Sequence, residues 1–330
     1  MKNFIKLSKK DKLNIFNQTS VKTGLPPSAI EKDWWVTLTL KIIFSLPYSE
    51  HVVFKGGTSL SKGWNLIERF SEDIDLAISR EFLGFSGELK KKQVTRLRKA
   101  SCSFISTKFS KELNNELSKL ELEGFEVIVQ ETGNSDTDPL VVELKYDSLT
   151  EELVYLKPRV LIEVGARSLM EPADNRGIKS IVSEVYSKLP FADKEVNIPV
   201  VLPKRTFLEK IFLLHEEFQK PIDKIHVYRM SRHMYDLEKL MDTAHGTEAL
   251  KDAELYNMIV DHRSKFNVIR GIDYEKHKQE SINIIPPEEI LKDWEKDYTA
   301  MKESMFYGDT ISFSELIKRI GELNARINAV

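Results

Sequence analysis

The stretch FKGGTSLSKGWNLIERFSEDIDLAI, residues Phe54–Ile78, decides the fold of this chain. It opens with the end of a β-branched run typical of a strand, which stops at the pair Gly56-Gly57. A helix is predicted over Leu60–Arg69, and the hydrophobic alternation of Ile74–Ile78 predicts a second strand. Strand, glycine turn, helix and strand in this order indicate an α/β core.

The glycine turn is a candidate phosphate-binding element. Gly56 and Gly57 tolerate positive φ angles and let the backbone approach a ligand closely. Thr58 and Ser59 follow with hydroxyls and backbone N–H groups where the predicted helix starts. Because the first N–H groups of a helix point outward without partners, this end of a helix attracts anions. We therefore predict that Gly56, Gly57, Thr58 and Ser59 bind a nucleotide.

Two aspartates mark the strand after the turn. Asp73 and Asp75 flank Ile74, and residues i and i+2 of a strand share one face roughly 6.6 Å apart. Mg²⁺ prefers oxygen ligands, usually one or two carboxylates together with substrate phosphates. The pair predicts a divalent metal site, and Ser71 is a candidate to hydrogen-bond a phosphate or the metal shell. The alternative is an ordinary turn followed by a solvated strand end.

The order of these elements resembles the signature of the polymerase-β-like nucleotidyltransferases. The longer texts KGGTSLSK and RFSEDIDL resemble a narrower group, the AbiEii/AbiGii nucleotidyltransferase toxins of bacterial toxin–antitoxin and phage-defence pairs. The segment EKDWWV, residues 31–36, and the last two predicted helices are also similar to that family. The resemblance implies NTP as substrate, and Mg²⁺, or alternatively Mn²⁺, as the metal.

A third acidic residue lies in the run RVLIEV, Arg159–Val164. A carboxylate in such an apolar run is out of place unless it is paired or bound to a metal. The resemblance implies that Glu163 completes the metal site or acts as general base for the incoming hydroxyl. The alternative is an ion pair between Glu163 and Arg159 or Arg167.

A strongly amphipathic helix is predicted over Arg205–Gln219, with Lys210 next to its apolar face. The resemblance implies a catalytic role for Lys210 in holding the triphosphate, a task that suits a compact, strongly hydrated cation. The alternative is a solvated lysine. His215-Glu216 does not indicate a zinc peptidase, because Gln219 stands where the second histidine of H-E-x-x-H is needed.

The block HVYRMSRHMYDLEKL, residues 226–240, places Arg229, Arg232, His233 and Asp236 on one face of a predicted helix. The resemblance implies that Arg232 binds the nucleotide and that Asp236 is catalytic. The alternative is a set of salt bridges between helices.

A row of cations occupies the helix or broken helix predicted from Glu88 to Leu122. Its members are Lys90, Lys91, Lys92, Arg96, Arg98, Lys99, Lys108 and Lys111. Such a row suits a phosphate backbone, although a charged helix face is more often simply solvated.

Composition limits the class of protein. The 330 residues are 41% hydrophobic and 30% charged, which is typical of a soluble globular protein. The formal net charge of −2 gives no overall attraction to nucleic acid, so contact with RNA would need a local basic patch. The single Cys102 excludes an internal disulfide and a cysteine-based zinc site. With no apolar run near the ~18 residues of a membrane span, we expect a cytoplasmic protein without membrane contact.

These observations predict a polymerase-β-like core, a mixed sheet with helices, in residues 1–200 and a helical C-terminal domain in residues 201–330. The reaction would be attack of a hydroxyl on the α-phosphate of an NTP, with release of pyrophosphate. The resemblance implies an RNA acceptor, in particular the tRNA 3′ end, and a cognate antitoxin encoded nearby. The alternatives are NMP transfer to a protein hydroxyl and a non-catalytic nucleotide-binding module.

Overall fold

The computed structural model describes residues 2–71, 73–151 and 156–329. The chain forms two compact units. The first consists of Met1–Trp64 and Phe70–Val201, and the second consists of Asn65–Arg69 and Leu202–Val330. Across the described ranges, no helix has both the length and the apolar character required to cross a membrane.

The first unit is built on a mixed sheet. Its strands are β1 (Val52–Lys55), β2 (Asp73–Ile78), β3 (Phe125–Val129), β4 (Leu140–Tyr146), β5 (Arg159–Gly165), β6 (Ala173–Ile178) and β7 (Val196–Val201). Their order is β3-β4-β5-β2-β1-β7-β6. The pairs β2–β5 and β1–β7 are parallel and the remaining neighbours are antiparallel. The predicted mixed sheet of an α/β core is confirmed, and β6 is a strand that the sequence did not predict.

The first unit also contains helices. They are α1 (Lys2–Ile5), α2 (Lys9–Thr23), α3 (Pro27–Ile43), α4 (Gly56–Lys62), α5 (Lys91–Phe104), α6 (Ser110–Ser118) and α7 (Ile181–Val185). A π-helical turn, Ile105–Phe109, joins α5 to α6, so the helix predicted between Glu88 and Leu122 is a broken one.

The two faces of the sheet differ in polarity. Along β5, Val160, Ile162 and Val164 are fully buried while the residues between them are half-buried. Helices α3 and α5 contact β5, and α6 contacts β3. A strand with one apolar and one polar face buries the apolar one, so Glu163 and its neighbours of the same register lie on the opposite, more polar face.

Helix α3 does not begin as its sequence suggested. Pro26 occupies the N-cap position and Pro27 the first turn, which suits a residue without an N–H group. Ser28 and Glu31 have the spacing of a capping box, but Ser28 lies within α3 and does not cap it. Glu31 is buried and accepts hydrogen bonds from the backbone N–H groups of Leu149 (2.9 Å) and Thr150 (3.2 Å) instead.

The tryptophans of α3 pack within the core. The Trp34 ring lies 5.2 Å from that of Phe4, and Trp35 stacks on Tyr146 at 4.8 Å. Lys32 of the same helix is buried and donates to the carbonyl of Lys157 at 2.9 Å. The EKDWWV segment thus ties α3 to the sheet and its connections.

The second unit is helical in its described residues. It contains α8 (Pro203–Phe218), α9 (Ser231–Leu240), α10 (Ala244–Lys251), α11 (Ala253–Phe266), α12 (Leu291–Met305) and α13 (Phe313–Asn328), with short 3₁₀ turns between them. Helix α8 contacts α9, α10 and α11. Phe207, Ile211 and Leu214 form its fully buried face, as the amphipathic pattern predicted.

A buried polar network braces α8 from one side. Glu216 accepts from Nε of Arg263 at 2.7 Å and lies 3.1 Å from Nε2 of His277. Its neighbour His215 accepts from the backbone N–H of Asn283 at 3.0 Å. Both residues of the His-Glu pair are thus engaged in packing α8 against its surroundings.

This network predicts acid sensitivity. Burial, with a further contribution from His277, lowers the pKa of His215 to about 4. Since the unfolded histidine titrates near 6.5, protons bind preferentially to the unfolded chain as the pH falls from about 6.5 to 4, and stability is lost in that window. We expect His215 to account for about 3 kcal/mol of this loss.

The measurement is urea unfolding at several pH values for wild type and His215→Asn, whose side-chain oxygen still accepts from Asn283. The variant should show a flatter decline in unfolding free energy between pH 6.5 and 4. An unchanged decline would contradict the assignment to His215.

Candidate active site

The glycine turn lies against an acidic residue of the next strand. β1 ends at Lys55, and Gly56 starts α4 with a φ of 80°, in the left-handed region that favours glycine. A Cβ atom at Gly56 would collide with the carboxylate of Asp75. The backbone at Gly56 therefore lies close to Asp75, and its predicted approach to a ligand stays a prediction.

The hydroxyls that follow the turn bond within the protein. Thr58 is fully buried, donates to the backbone carbonyl of Asp73 and lies 2.8 Å from Oγ of Ser71. Ser59 is also fully buried and donates to the carbonyl of Gly56 at 2.8 Å. Thr58 thereby ties the start of α4 to the start of β2. A phosphate-binding role of Thr58 and Ser59 would have to come from their backbone N–H groups, and that role stays a prediction.

The helix predicted over Leu60–Arg69 is wrong in its bounds. α4 begins at Gly56 and ends at Lys62, with Gly63 at its C-cap position. Asn65 then takes a positive φ of 52°, which a continuing helix does not allow. Asn65–Arg69 belong to the second compact unit, and the chain returns to the first unit at Phe70.

Strand register brings the three predicted acidic residues to one face. Asp75 pairs with Glu163 across the parallel pair β2–β5, and Asp73 pairs with Leu161. Neighbouring strands lie about 4.8 Å apart, and paired residues point to the same face. Asp73, Asp75 and Glu163 are each half-buried. Gly57, in the first turn of α4, is half-buried as well.

The arginines considered as alternative partners of Glu163 bind other carboxylates. Arg159 pairs with Glu143 at 3.1 Å, and Arg167 pairs with Asp138 at 3.2 Å. These pairs occupy Arg159 at the start of β5 and Arg167 just after its end.

The acidic face suits a metal that also takes substrate oxygens. Within the described ranges, no group of three or more His, Cys, Asp or Glu side chains is arranged to hold a metal ion by itself. Mg²⁺ commonly binds through one or two carboxylates and completes its coordination with water and phosphate oxygens. The donor set of Asp73, Asp75 and Glu163 fits that mode and does not fit a closed, all-protein cage.

A second cluster of predicted residues lies within the second unit, around Asp236 on α9. Asp236 is fully buried and accepts from Arg69 through both carboxylate oxygens, at 2.6 and 2.8 Å. Nζ of Lys210, on α8, lies 2.8 Å from Oδ2 of the same carboxylate and 3.4 Å from Nδ1 of His233. The structure therefore brings Lys210, His233 and Asp236 together.

Charge and burial shift the pKa values in this cluster. Burial opposes ionisation of Asp236, yet Arg69 and Lys210 outweigh it and hold its pKa well below the usual range. Burial lowers the pKa of Lys210 against the pull of Asp236. Burial and then the charges of Lys210 and Arg232 lower the pKa of His233 well below its usual value. Asp236 is thus ionised at neutral pH and His233 is neutral.

Two expectations about this region are wrong. Arg229 precedes α9 with a positive φ of 61°, and its backbone N–H donates to Asp297 at 2.6 Å. It therefore does not share a helix face with Asp236. Lys210 is not beside the buried face of α8 but within it, because its ammonium group is paired with Asp236. Arg232 is half-buried and near enough to shift the pKa values of Lys210 and His233.

Sequence reasoning missed two residues. Arg69 was taken as the end of a helix, although it is the main partner of Asp236. Lys55 stands opposite Asp75 across the antiparallel pair β1–β2, on the face that carries the acids. The pairing of β1 with β2 would have identified Lys55 as a neighbour of the acids. No local sequence pattern identifies Arg69 as the partner of Asp236.

The family profile described as "Nucleotidyl transferase AbiEii toxin, Type IV TA system" matches residues 40–319. This chain belongs to the AbiEii nucleotidyltransferase toxin family. The match includes the glycine turn, the three acids, Lys210 and Asp236. An AbiEii protein is a nucleotidyltransferase of a toxin–antitoxin system, which confirms the predicted reaction class. Nucleotidyltransferases generally use an NTP and a divalent metal, and the toxin–antitoxin pairing implies an antitoxin partner.

Solved structures similar to this AbiEii chain include two from Helicobacter pylori. The crystal structure of JHP933 shares 15% identity at a TM-score of 0.43 and covers 91% of this chain and 92% of its own. A second protein, provisionally described as a nucleotidyltransferase, shares 13% identity at a TM-score of 0.45 and covers 92% of this chain and 96% of its own. No curated protein matches this chain.

The contact between Gly56 and Asp75 predicts the effect of an added methyl group. Gly56→Ala should lose roughly 1–2 kcal/mol of stability to left-handed backbone strain and about 1–3 kcal/mol more to displacement of Asp75. The matched control is Gly24→Ala, whose φ is 75° and whose Cβ would meet nothing within 4 Å.

Urea unfolding of both variants separates the two effects, because the control retains the strain and lacks the collision. Equal losses of unfolding free energy in the two variants would show that Asp75 moves aside at no cost, which would contradict a tight turn.

The Asp236 cluster predicts a large cost of charge removal. Asp236→Asn leaves Arg69 and Lys210 buried without their shared negative charge, so the unfolding free energy should fall by about 3–5 kcal/mol. The control is Asp242→Asn, since Asp242 is exposed and accepts from Arg326 at 2.7 Å, and its loss should cost no more than about 1 kcal/mol. Similar costs in denaturant unfolding would contradict the structural importance of the buried carboxylate.

Proposed function

We propose that this protein is a Mg²⁺-dependent nucleotidyltransferase toxin that transfers NMP from an NTP to an RNA acceptor, the 3′ end of a tRNA. The observation that carries the proposal is the register of β2 and β5. It pairs Asp75 with Glu163 on the face that also holds Asp73. The glycine turn, with Gly56 against Asp75, starts beside this face.

The metal residues are Asp73, Asp75 and Glu163 in this proposal. When bound there, Mg²⁺ neutralises charge on the phosphates and lowers the energy of the transition state. Mn²⁺, which also prefers oxygen ligands, would serve as a substitute. Asp73 and Asp75 would hold the metal, and Glu163 would also accept a proton as general base.

The reaction is an in-line displacement. The acceptor hydroxyl oxygen forms a bond to the α-phosphorus while its proton passes to Glu163. The bond from the α-phosphorus to the bridging oxygen of the β-phosphate breaks, and pyrophosphate leaves. Positioning and charge neutralisation supply most of the rate enhancement in transfers of this kind.

We propose nucleotide-binding roles for two sets of residues. In the first unit they are Gly56, Gly57, Thr58, Ser59 and Ser71, with the backbone N–H groups of the turn as the donors. In the second unit they are Lys210 and Arg232. Asp236 would act as a positioning residue, because its buried carboxylate fixes the ammonium group of Lys210. A protein with this activity would work in the cytoplasm, where its RNA acceptor is found, and a role in phage defence follows from the toxin–antitoxin pairing.

The test incubates the purified protein with each α-³²P-labelled NTP, Mg²⁺ and total bacterial RNA, with bacterial protein in a parallel reaction. We expect label on tRNA-sized RNA from one or more NTPs. Asp73→Asn/Asp75→Asn should abolish labelling, because the substitution removes the proposed metal ligands and retains side-chain size.

The matched control is Asp242→Asn/Asp261→Asn, which removes the same charge from exposed positions. Label on protein instead of RNA would replace the proposed acceptor with a protein hydroxyl. NTP binding without transfer to any acceptor would overturn the proposed activity.

A further inference from the structure

The described part of the first unit carries a basic surface that the proposed chemistry does not use. Residues 89–111 contain eight lysines and arginines and no aspartate or glutamate, in a chain with 49 basic and 51 acidic residues. Lys92, Arg96 and Lys99 are exposed and follow i, i+4, i+7 spacing on α5. We call these three residues the basic stripe.

The opposite side of α5 is fixed in the core. Val94 and Leu97 are buried, and Ile105 and Phe109 of the π-helical turn continue the same apolar side. The stripe is thus presented on the surface by a helix that cannot rotate without exposing this side.

The like charges of the basic stripe destabilise α5. Lys92 and Arg96 are like charges one helical turn apart, as are Arg96 and Lys99, and such pairs destabilise a helix. Lys91 and Lys92 lie in the first turn of α5, which has no acidic residue, so they also oppose the helix dipole. A merely solvated face has no reason to concentrate cations in this way.

Several exposed cations elsewhere on the surface are compensated. Exposed lysines of other helices pair with carboxylates in the same helix: Lys119–Glu116 at 2.6 Å, Lys265–Asp261 at 2.8 Å, Lys296–Asp293 at 3.0 Å and Lys318–Glu315 at 3.5 Å. By contrast, no carboxylate of the described ranges pairs with Lys92, Arg96 or Lys99. The stripe is therefore available to an external anion.

Hydrogen bonds fix α5 to the end of the strand that carries Glu163. Nε of Arg98 donates to the carbonyl of Asp136 at 2.8 Å. Two residues later, Asp138 accepts from the backbone N–H of Ala166 at 2.9 Å. Ala166 follows Glu163 by three residues, roughly 10 Å of strand. These bonds tie α5 to the end of β5. Because α5 contacts the apolar face of β5 and Glu163 lies on the other face, an RNA that contacts both the stripe and Glu163 has to pass an edge of the sheet.

We propose that the basic stripe binds the phosphate backbone of the RNA acceptor. The inference rests on the proposed function for the identity of the acceptor, and it adds the surface that holds it. A row of exposed cations on one helix matches the regularly spaced charges of a polynucleotide, and lysine and arginine contacts to phosphates position a nucleic acid without reading its sequence.

The experiment compares Lys92→Gln/Arg96→Gln/Lys99→Gln with a control, Lys224→Gln/Lys296→Gln/Lys318→Gln, which removes three exposed cations from other sites. Binding of a fluorescein-labelled RNA hairpin with a single-stranded 3′ end is followed by anisotropy, without NTP, over a range of salt concentrations.

We expect the stripe variant to bind about 10-fold or more weakly near physiological salt, with a log–log salt slope smaller by about 2–3, and the control to bind like wild type. Its melting temperature should equal or exceed that of wild type, because repulsion within α5 is relieved. Equal binding by all three proteins would overturn the inference, as would equal weakening in the control. A stripe variant that melts below wild type would also overturn it.

A transfer assay separates this inference from the proposed function. With the RNA hairpin, the stripe variant should raise KM and leave kcat unchanged, whereas a dinucleotide acceptor should react equally with both proteins. If wild type labels no RNA, the proposed function fails, and the binding comparison still decides whether the stripe holds a polynucleotide.

Discussion

The register of β2 between its two neighbours is the constraint on which the first unit depends. It sets Asp75 between Lys55 of β1 and Glu163 of β5, and it brings the Asp75 carboxylate so close to the glycine turn that a side chain at residue 56 has no room. Because side chains alternate along a strand, a slip of one residue would send the acids to the helix-covered face. The proposed chemistry and the burial of apolar side chains therefore require the same strand pairing.

The second unit depends on a different kind of interaction. Asp236 compensates two buried cations, Arg69 and Lys210, and this compensation makes a lysine tolerable in the buried face of α8. The arrangement also keeps one lysine ammonium group in a fixed position, which a solvated lysine with four rotatable bonds does not achieve. The neutral His233 beside it adds no further charge to the cluster.

Local patterns were sufficient for much of this architecture. β-branched and alternating runs identified β1 and β2, and amphipathic spacing identified α8. The predictions that failed concern residues whose contacts form only in the folded chain. Arg69 was assigned to a helix because nothing nearby in the sequence shows that its partner lies 167 residues away. Thr58 and Ser59 were predicted to bind a nucleotide, and the bonds of their hydroxyls to Asp73 and Gly56 follow from the folded turn.

Residues 65–69 belong to the second unit although they lie between two parts of the first unit in the sequence. The segment leaves the first unit, forms a bridge from Arg69 to Phe306 and accepts from the backbone N–H of Tyr307 at 3.1 Å, and then the chain returns as β2. Neither unit is a continuous stretch of polypeptide. A gene truncated after Val201 would still encode this segment but not its partners Asp236, Phe306 and Tyr307. The helical part therefore cannot be gained, lost or exchanged in evolution as a simple C-terminal addition.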